Sequence, residues 1–132
     1  MTRALRYRAS WTALGVAMIA FVVVASLVNV SQPVAVQGID KLHHLVAYGA
    51  MMFWWGMLQP RRRWTWAAAI VALGAALEFT QSLTPYRTMD WRDMAFNVGG
   101  VALASVLLRT RAEGLLAWVD RQLRDRLDPR AP

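Results

Sequence analysis

The sequence predicts an all-α protein: a bundle of four membrane-spanning helices with both termini in the cytoplasm, followed by an amphipathic C-terminal helix. Three observations predict it, namely four long apolar stretches, basic residues gathered beside alternate ends of these stretches, and helical spacing of apolar residues near the C-terminus. The composition agrees, since 57% of the 132 residues are hydrophobic and only 17% are charged. This is more apolar than an ordinary soluble domain.

The first stretch, residues 11–30, contains no charged residue and is long enough as a helix to cross a hydrocarbon core of about 30 Å. It follows Arg3, Arg6 and Arg8, as the apolar part of a signal peptide would. The run is longer than the roughly 7–15 residues of a signal peptide and has no clean small-residue cleavage site. We therefore expect a retained helix.

The second stretch covers about residues 39–58, but its first turn contains Asp40, Lys41 and two histidines, which we place in the headgroup zone. Pro60 ends this helix, and Arg61–Arg63 form a short turn, so helices two and three should be antiparallel neighbours. The third and fourth spans are expected at about 64–83 and 92–108.

After the spans, residues 113–127 show helical spacing of apolar residues, with Arg121, Arg124 and Asp125 on the opposite side. The apolar positions are Leu116, Val119, Leu123 and Leu127. We expect this tail on the membrane surface. The predicted organisation is a basic cytoplasmic N-terminus at 1–10, a transmembrane domain at 11–110 and an amphipathic cytoplasmic tail at 111–132.

The orientation follows from the basic residues. With both termini inside, 12 of the 15 lysines and arginines lie in cytoplasmic segments, and only Lys41, Arg87 and Arg92 lie outside. This matches the positive-inside rule. The net charge of +7 is then explained by anionic lipid at the inner surface, and no nucleic-acid partner is predicted. The localisation expected is a multi-pass protein of the cell membrane.

Under this orientation, polar residues of helices two to four meet at the outer end. Asp40, His44 and Tyr48 repeat every four residues, and Asp93 and Asn97 are also four apart, so each set shares a helix face. Glu78 lies about 7 Å inside the end of helix three, where an unpaired charge would cost several kcal/mol. It needs a partner, and Arg87, Lys41 and His44 are candidates.

Simpler roles exist for some of these residues. Asp40 and Asp90 both stand where a helix begins, so N-capping alone would explain either. Asn97 precedes Gly99 and Gly100 and could serve only to pack two helices. We expect His43 to be an interfacial side chain. Such structural roles explain Glu78 least well, because ionisable groups inside membrane spans usually take part in a protein's function.

The spacing of these residues resembles that of the VanZ-like family of small bacterial membrane proteins. The family is named for a protein linked to resistance against the glycopeptide teicoplanin. The resemblance covers residues 40–100. It is carried by Asp40-Lys41-x-x-His44-x-x-x-Tyr48, Glu78-x-x-Gln81 and Pro85-x-Arg87-x-x-Asp90-x-x-Asp93-x-x-x-Asn97-x-x-Gly100. These polar positions, by the resemblance, form the site, whereas His43 corresponds to no position of the pattern.

Three functional hypotheses remain open. In the first, the site binds a lipid headgroup, a lipid-linked envelope precursor or a glycopeptide, with Lys41 and Arg87 holding an anion. In the second, it is an enzyme acting on such a precursor, with Glu78 or His44 as general base and Asp93 orienting the base. The third, a transporter, is disfavoured because four helices are few for alternating access.

A metal site from His44, Asp40, Glu78 and Asp93 would suit zinc or a hard divalent ion. No recognisable ligand spacing such as His-Glu-x-x-His is present, so no metal and no cofactor is predicted. The chain contains no cysteine, which excludes disulfides and thiolate chemistry. The sequence does not define an oligomeric state.

Overall fold

The computed structural model describes residues 5–28, 39–84 and 90–127, and every regular element in these ranges is helical. Short 3₁₀ turns at Pro60–Arg62 and Arg111–Gly114 precede the third and fifth α-helices. The helices are α1 (Arg8–Leu27), α2 (Ile39–Leu58), α3 (Arg63–Ser82), α4 (Trp91–Leu107) and α5 (Leu115–Leu127). The all-α prediction is confirmed, and each helix lies within a few residues of the segment that the sequence indicates.

Within the described part of the chain, α1 alone is long and apolar enough by itself to cross a membrane. Helix α2 does not meet this condition of length and hydropathy because its first turn is polar. Helix α4 does not meet it because it has only 17 residues. The four-span arrangement with both termini inside therefore stays a prediction.

Successive helices of the bundle run in opposite directions. The 3₁₀ turn joins α2 directly to α3, which packs back along it. At one end of α1, Gly15 lies against the rings of Trp54 and Trp55 near the end of α2. At the other end, the Ser26 carbonyl accepts a 2.6 Å hydrogen bond from Gln81 Nε2 at the end of α3. Helices α1 and α3 thus run parallel, and α2 runs against both.

Helices α2 and α4 form the closest pair, and they run parallel to each other. A Cβ atom added to Gly100 would overlap the Leu45 carbonyl oxygen and lie 2.9 Å from the Gly49 nitrogen. A glycine is therefore required at this crossing, because no other side chain allows the two backbones to approach so closely. Further along, Gly56 leaves space for the Leu108 side chain.

The hydrophobic core occupies the end of the bundle where α2 ends and α3 begins. Trp55 stacks on Trp66 with 3.9 Å between ring centroids, and Trp11 meets Trp54 edge to face at 5.9 Å. The buried members of this core are Tyr48, Met51, Met52, Trp55, Leu58, Ile70, Val101, Ala104, Leu108 and Leu116. All belong to helices α2 to α5 except Leu108, which directly follows α4.

The tail helix α5 packs on the bundle through the same face that the sequence assigns to apolar residues. Leu116 is buried in the core, and Asp120, one turn further on, is only 5% exposed. The Asp120 carboxylate accepts hydrogen bonds from the Arg6 N–H at 2.8 Å, the Tyr7 N–H at 3.0 Å and Trp11 Nε1–H at 2.7 Å. It thereby places a negative charge at the start of α1, where the helix dipole favours one.

We predict that Gly100→Ala destabilises the protein by about 1–3 kcal/mol, the usual cost of forcing a methyl group into a packed interface. The new Cβ would press on the α2 backbone, which cannot move aside as a flexible side chain can. Thermal unfolding of the purified protein in detergent micelles measures the effect.

Gly114→Ala is the matched control, since nothing lies within 4 Å of a Cβ added there. An equal melting temperature for both variants would contradict the α2–α4 contact.

We predict that the attachment of α5 to the start of α1 depends on pH. Burial raises the pKa of Asp120, but hydrogen bonds from Trp11, Arg6 and Tyr7, with Arg124 nearby, together lower this pKa below the ordinary 3.8. Because the folded pKa is the lower one, the stabilisation is complete above the unfolded pKa and is lost as pH falls through the folded pKa. Amide-exchange protection of Arg6 and Tyr7 should disappear in that acidic range.

At neutral pH, Asp120→Ala should remove this protection and speed tryptic cleavage of the tail, because three charge-assisted hydrogen bonds are lost at about 1.5–3 kcal/mol each. Asp125→Ala is the control, since Asp125 is exposed and pairs with its neighbour Arg124. Equal cleavage of the two variants would show that Asp120 does not hold the tail.

Candidate functional site

Three helices contribute polar side chains to one end of the bundle, and Tyr48 lies where this end meets the hydrophobic core. Helices α2 and α4 begin there, and α3 ends there. Because α2 and α4 run parallel in close contact, the first turns of both helices face each other. We call the resulting group the polar cluster; its members are Lys41, His44, Tyr48, Glu78, Asp90, Asp93 and Asn97.

Lys41 joins the start of α2 to the start of α4. Its Nζ lies 3.4 Å from Asp90 Oδ2 and 3.3 Å from Asp93 Oδ1. Asp90 also caps α4, since its Oδ1 accepts the Arg92 N–H at 2.8 Å, and the capping role expected for Asp90 is confirmed. This backbone hydrogen bond, opposed by burial and assisted by Lys41, lowers the pKa of Asp90.

His44 lies between α4 and the interior of the bundle, with each ring nitrogen facing a different residue. Its Nδ1 is 3.0 Å from Asn97 Oδ1, and its Nε2 is 3.6 Å from Asp93 Oδ2. An amide oxygen only accepts hydrogen bonds, so in this arrangement Nδ1–H is the donor, and Nε2 presents either a lone pair or a second N–H toward Asp93. The ring also stacks on Tyr48, with centroids 6.4 Å apart.

Asn97 forms the floor of the cluster and is completely buried. Its Nδ2 has no hydrogen-bond partner among the described residues and lies against the backbone position of Gly74 on α3, where a Cβ would come within 2.9 Å. Gly74 therefore lets α3 approach Asn97 and Tyr48 closely. This approach brings Glu78, one turn further along α3, toward the cluster.

Glu78 lies inside the bundle and is 4% exposed. One ring nitrogen of His44, one carboxylate oxygen of Glu78 and one of Asp93 all lie within 4.8 Å of one another. The expectation that Glu78 faces the bundle is therefore correct, and His44 is among its neighbours, as predicted. Two carboxylates and an imidazole from three different helices thus converge at one point.

The polar cluster is open on one side. The side chain of Asp90 is 39% exposed, that of Lys41 is 21% exposed and that of Asp93 is 18% exposed, whereas Glu78 and Asn97 are buried. Exposure thus falls from the rim to the floor. A polar group entering beside Asp90 would meet the other members in turn.

Three other predicted site residues are not placed in the cluster. Gln81 donates to the Ser26 carbonyl of α1, so its amide ties α1 to α3. Arg87 lies outside the described residues, and for Asp40 only the helical backbone is described. The proposed roles of Arg87 as an anion holder and of Asp40 as a cap or ligand stay predictions.

Two residues have roles that the sequence did not predict. Arg63, expected only as part of the turn between helices two and three, donates from Nε to the Gly56 carbonyl at 3.2 Å and pairs with Glu113 at 2.7 Å. Asp120 is the other. A clear signal was available for Asp120, because this carboxylate stands four residues after Leu116, on the face that the spacing assigns to apolar residues.

Carboxylates predominate among the described charges of the cluster. Those of Glu78, Asp90 and Asp93 outnumber the ammonium of Lys41, which already lies between two of them. Lys41 by itself is therefore poorly placed to hold a free anion, and these carboxylates are suited to accept hydrogen bonds from hydroxyl or amide groups.

These features define a class of protein: a small helical bundle with a polar cluster between helices at one end and an apolar core at the other. The model of the VanZ/LLP1 family matches residues 3–113, and the chain belongs to this family. The resemblance inferred from residues 40–100 is thus confirmed over a longer range that includes α1 and all of α2 to α4. Neither a curated protein nor a solved structure matches the chain significantly.

Proposed function

We propose that this VanZ-family chain crosses the bilayer four times with both termini in the cytoplasm and binds the polar part of a lipid-linked envelope precursor at the outer leaflet. The observation that carries the proposal is the convergence of α2, α3 and α4 side chains in one partly open polar cluster. A change in glycopeptide susceptibility would follow from binding, since it would alter the exposure of precursors at the cell surface.

A membrane location is supported by the surface of the bundle. Large apolar side chains are exposed on every helix, including Phe21 on α1, Val46 on α2, Phe79 on α3, Leu103 on α4 and Trp118 on α5. Apolar surface distributed in this way would associate in water but is stable against lipid chains. The basic residues at the opposite end from the cluster agree with the positive-inside orientation.

The placement of the cluster favours an amphiphilic ligand. Leu42 and Val46 on α2 and Trp91 and Phe96 on α4 are exposed on the helices that carry Lys41, His44 and Asp93. A ligand with a polar head and a long hydrocarbon chain could place the head in the cluster and the chain along this apolar surface.

A second candidate function, acid–base catalysis on the same precursor, is supported by the orientation of His44. Asn97 contacts the Nδ1 side of the ring, and Nε2 faces Asp93 with Glu78 close by. A histidine held in this way can accept a proton, and a neighbouring carboxylate stabilises the imidazolium that forms. Glu78 or His44 would be the base and Asp93 the orienting group.

Transport receives less support from the bundle. Below the cluster, the described interior is apolar, and its buried side chains there are Met51, Met52, Trp55, Ile70, Val101 and Ala104. No polar path continues from Glu78 through these residues toward the other end of the described bundle. Ion or proton pathways require such polar groups.

We predict opposite accessibility for cysteines at the two ends of the bundle. The chain has no native cysteine, so Leu83→Cys beside the cluster and Gly114→Cys at the other end report independently. Both positions are exposed. In intact cells, a membrane-impermeant maleimide should label the first variant and should label the second only after permeabilisation. The reverse pattern would show that the cluster faces the cytoplasm.

We predict that the purified protein binds a polyprenyl diphosphate-linked peptidoglycan precursor and that Glu78→Gln weakens this binding at least tenfold, because the buried carboxylate would accept hydrogen bonds from hydroxyl or amide groups of the precursor. His43→Ala is the control, because His43 is exposed and adjacent to His44 but is not part of the cluster. Titrations are made in lipid nanodiscs, with teicoplanin as a second ligand.

Mass spectrometry of the recovered precursor separates the two candidate functions. An unchanged precursor supports binding, whereas a product that disappears with Glu78→Gln and His44→Ala supports catalysis. Absence of binding and of product, with helical content retained, would exclude both.

A further inference from the structure

The strongest unexplained feature of the molecule is the chemistry of the three groups that converge inside the polar cluster. His44, Glu78 and Asp93 come from α2, α3 and α4, and they offer one nitrogen and carboxylate oxygens within 4.8 Å of one another. Ligands around one transition-metal ion at about 2.0–2.2 Å from it are roughly 3–4 Å apart. Small rotations of these side chains would therefore bring all three into a common coordination sphere.

The orientation of His44 is an independent observation that points to a ligand on Nε2. Metal-binding histidines usually donate the proton of the other ring nitrogen to a carbonyl or carboxylate, which fixes the tautomer. Asn97 Oδ1, on a completely buried side chain, accepts from Nδ1 at 3.0 Å. Nε2 then faces Asp93, so a cation placed between the two groups would be bound by both.

The surroundings of the three groups agree with a divalent cation. Glu78 is 4% exposed and the Asp93 side chain 18% exposed, so a cation between them and His44 would be partly shielded from water, which strengthens its attraction to the carboxylates. Lys41 lies against Asp90 and the Oδ1 side of Asp93, whereas Asp93 Oδ2 faces His44 Nε2.

The geometry points to a divalent transition-metal site with His44 Nε2 and the carboxylates of Glu78 and Asp93 as ligands and Asn97 as the residue that positions the imidazole. One nitrogen and carboxylate oxygens suit Zn²⁺ or Mn²⁺ better than Ca²⁺, which takes six to eight oxygen ligands. Three protein ligands leave a fourth position for water or for an anionic oxygen, which is the pattern of catalytic zinc sites.

This assignment explains how an acidic cluster could hold an anionic headgroup. A metal ion bridging the carboxylates and a phosphate oxygen would supply the positive charge that Lys41, already paired, does not. The site itself needs no lipid to form, so metal binding and precursor binding are measured separately. Failure of one does not decide the other.

The test uses full-length protein without an affinity tag, purified in detergent, treated with EDTA and titrated with ZnCl₂ by calorimetry, with the metal content counted by mass spectrometry. We expect one Zn²⁺ per chain. Asp93→Asn and Glu78→Gln should each weaken binding at least tenfold, and His43→Ala should leave it unchanged. Asn97→Ala, which removes no ligand, should weaken it about 10–100-fold.

A Co²⁺ titration of the unaltered protein keeps the assignment testable if the ligand variants do not fold. The visible absorption of bound Co²⁺ should show four- or five-coordinate nitrogen and oxygen ligation, and Zn²⁺ should displace it. No stoichiometric binding of Zn²⁺, Mn²⁺ or Co²⁺ would overturn the assignment. Binding that His43→Ala abolishes, or that Asp93→Asn leaves intact, would assign the metal to the surface instead and overturn it equally.

Discussion

The contact between the backbones of α2 and α4 at Gly49 and Gly100 is the constraint on which the rest of the structure depends. Because these helices run parallel at contact distance, residues about 50 positions apart in sequence become neighbours along both helices. Lys41 meets Asp93, and His44 meets Asn97. A side chain at the crossing would separate the helices and pull apart each of these pairs.

The position of the crossing also explains why polar and apolar groups are separated along the bundle. Below it, α2 and α4 contribute methionines, a tryptophan and alanine to an apolar core, which is stabilised by close van der Waals packing. Above it, the helices begin, and their first-turn N–H groups need acceptors. Asp90 meets this need for α4 while pairing with Lys41, so capping and the polar cluster are built from the same side chain.

Sequence periodicity and composition were enough to locate the helices and to choose the polar residues of one helix face. They predicted that Asp93 and Asn97 act together and that Glu78 needs a partner. They could not show that Glu78 and Gln81, three residues apart, serve different neighbours, since Gln81 turns to α1. They grouped His44, Glu78 and Asp93 as candidates for one site, but they could not show how close these side chains lie, because each comes from a different helix and spacing along the chain does not give distances between helices.

The link between Asp120 and the start of α1 joins two parts of the chain that the family comparison separates. The VanZ/LLP1 match ends at residue 113, yet the carboxylate that satisfies the N–H groups of Arg6 and Tyr7 lies beyond that limit. A protein shortened to the matched residues would leave these amides and the Trp11 indole without their acceptor. The residues that match the family therefore do not include every contact of their first helix. The start of α1 depends on Asp120, which lies outside the matched residues.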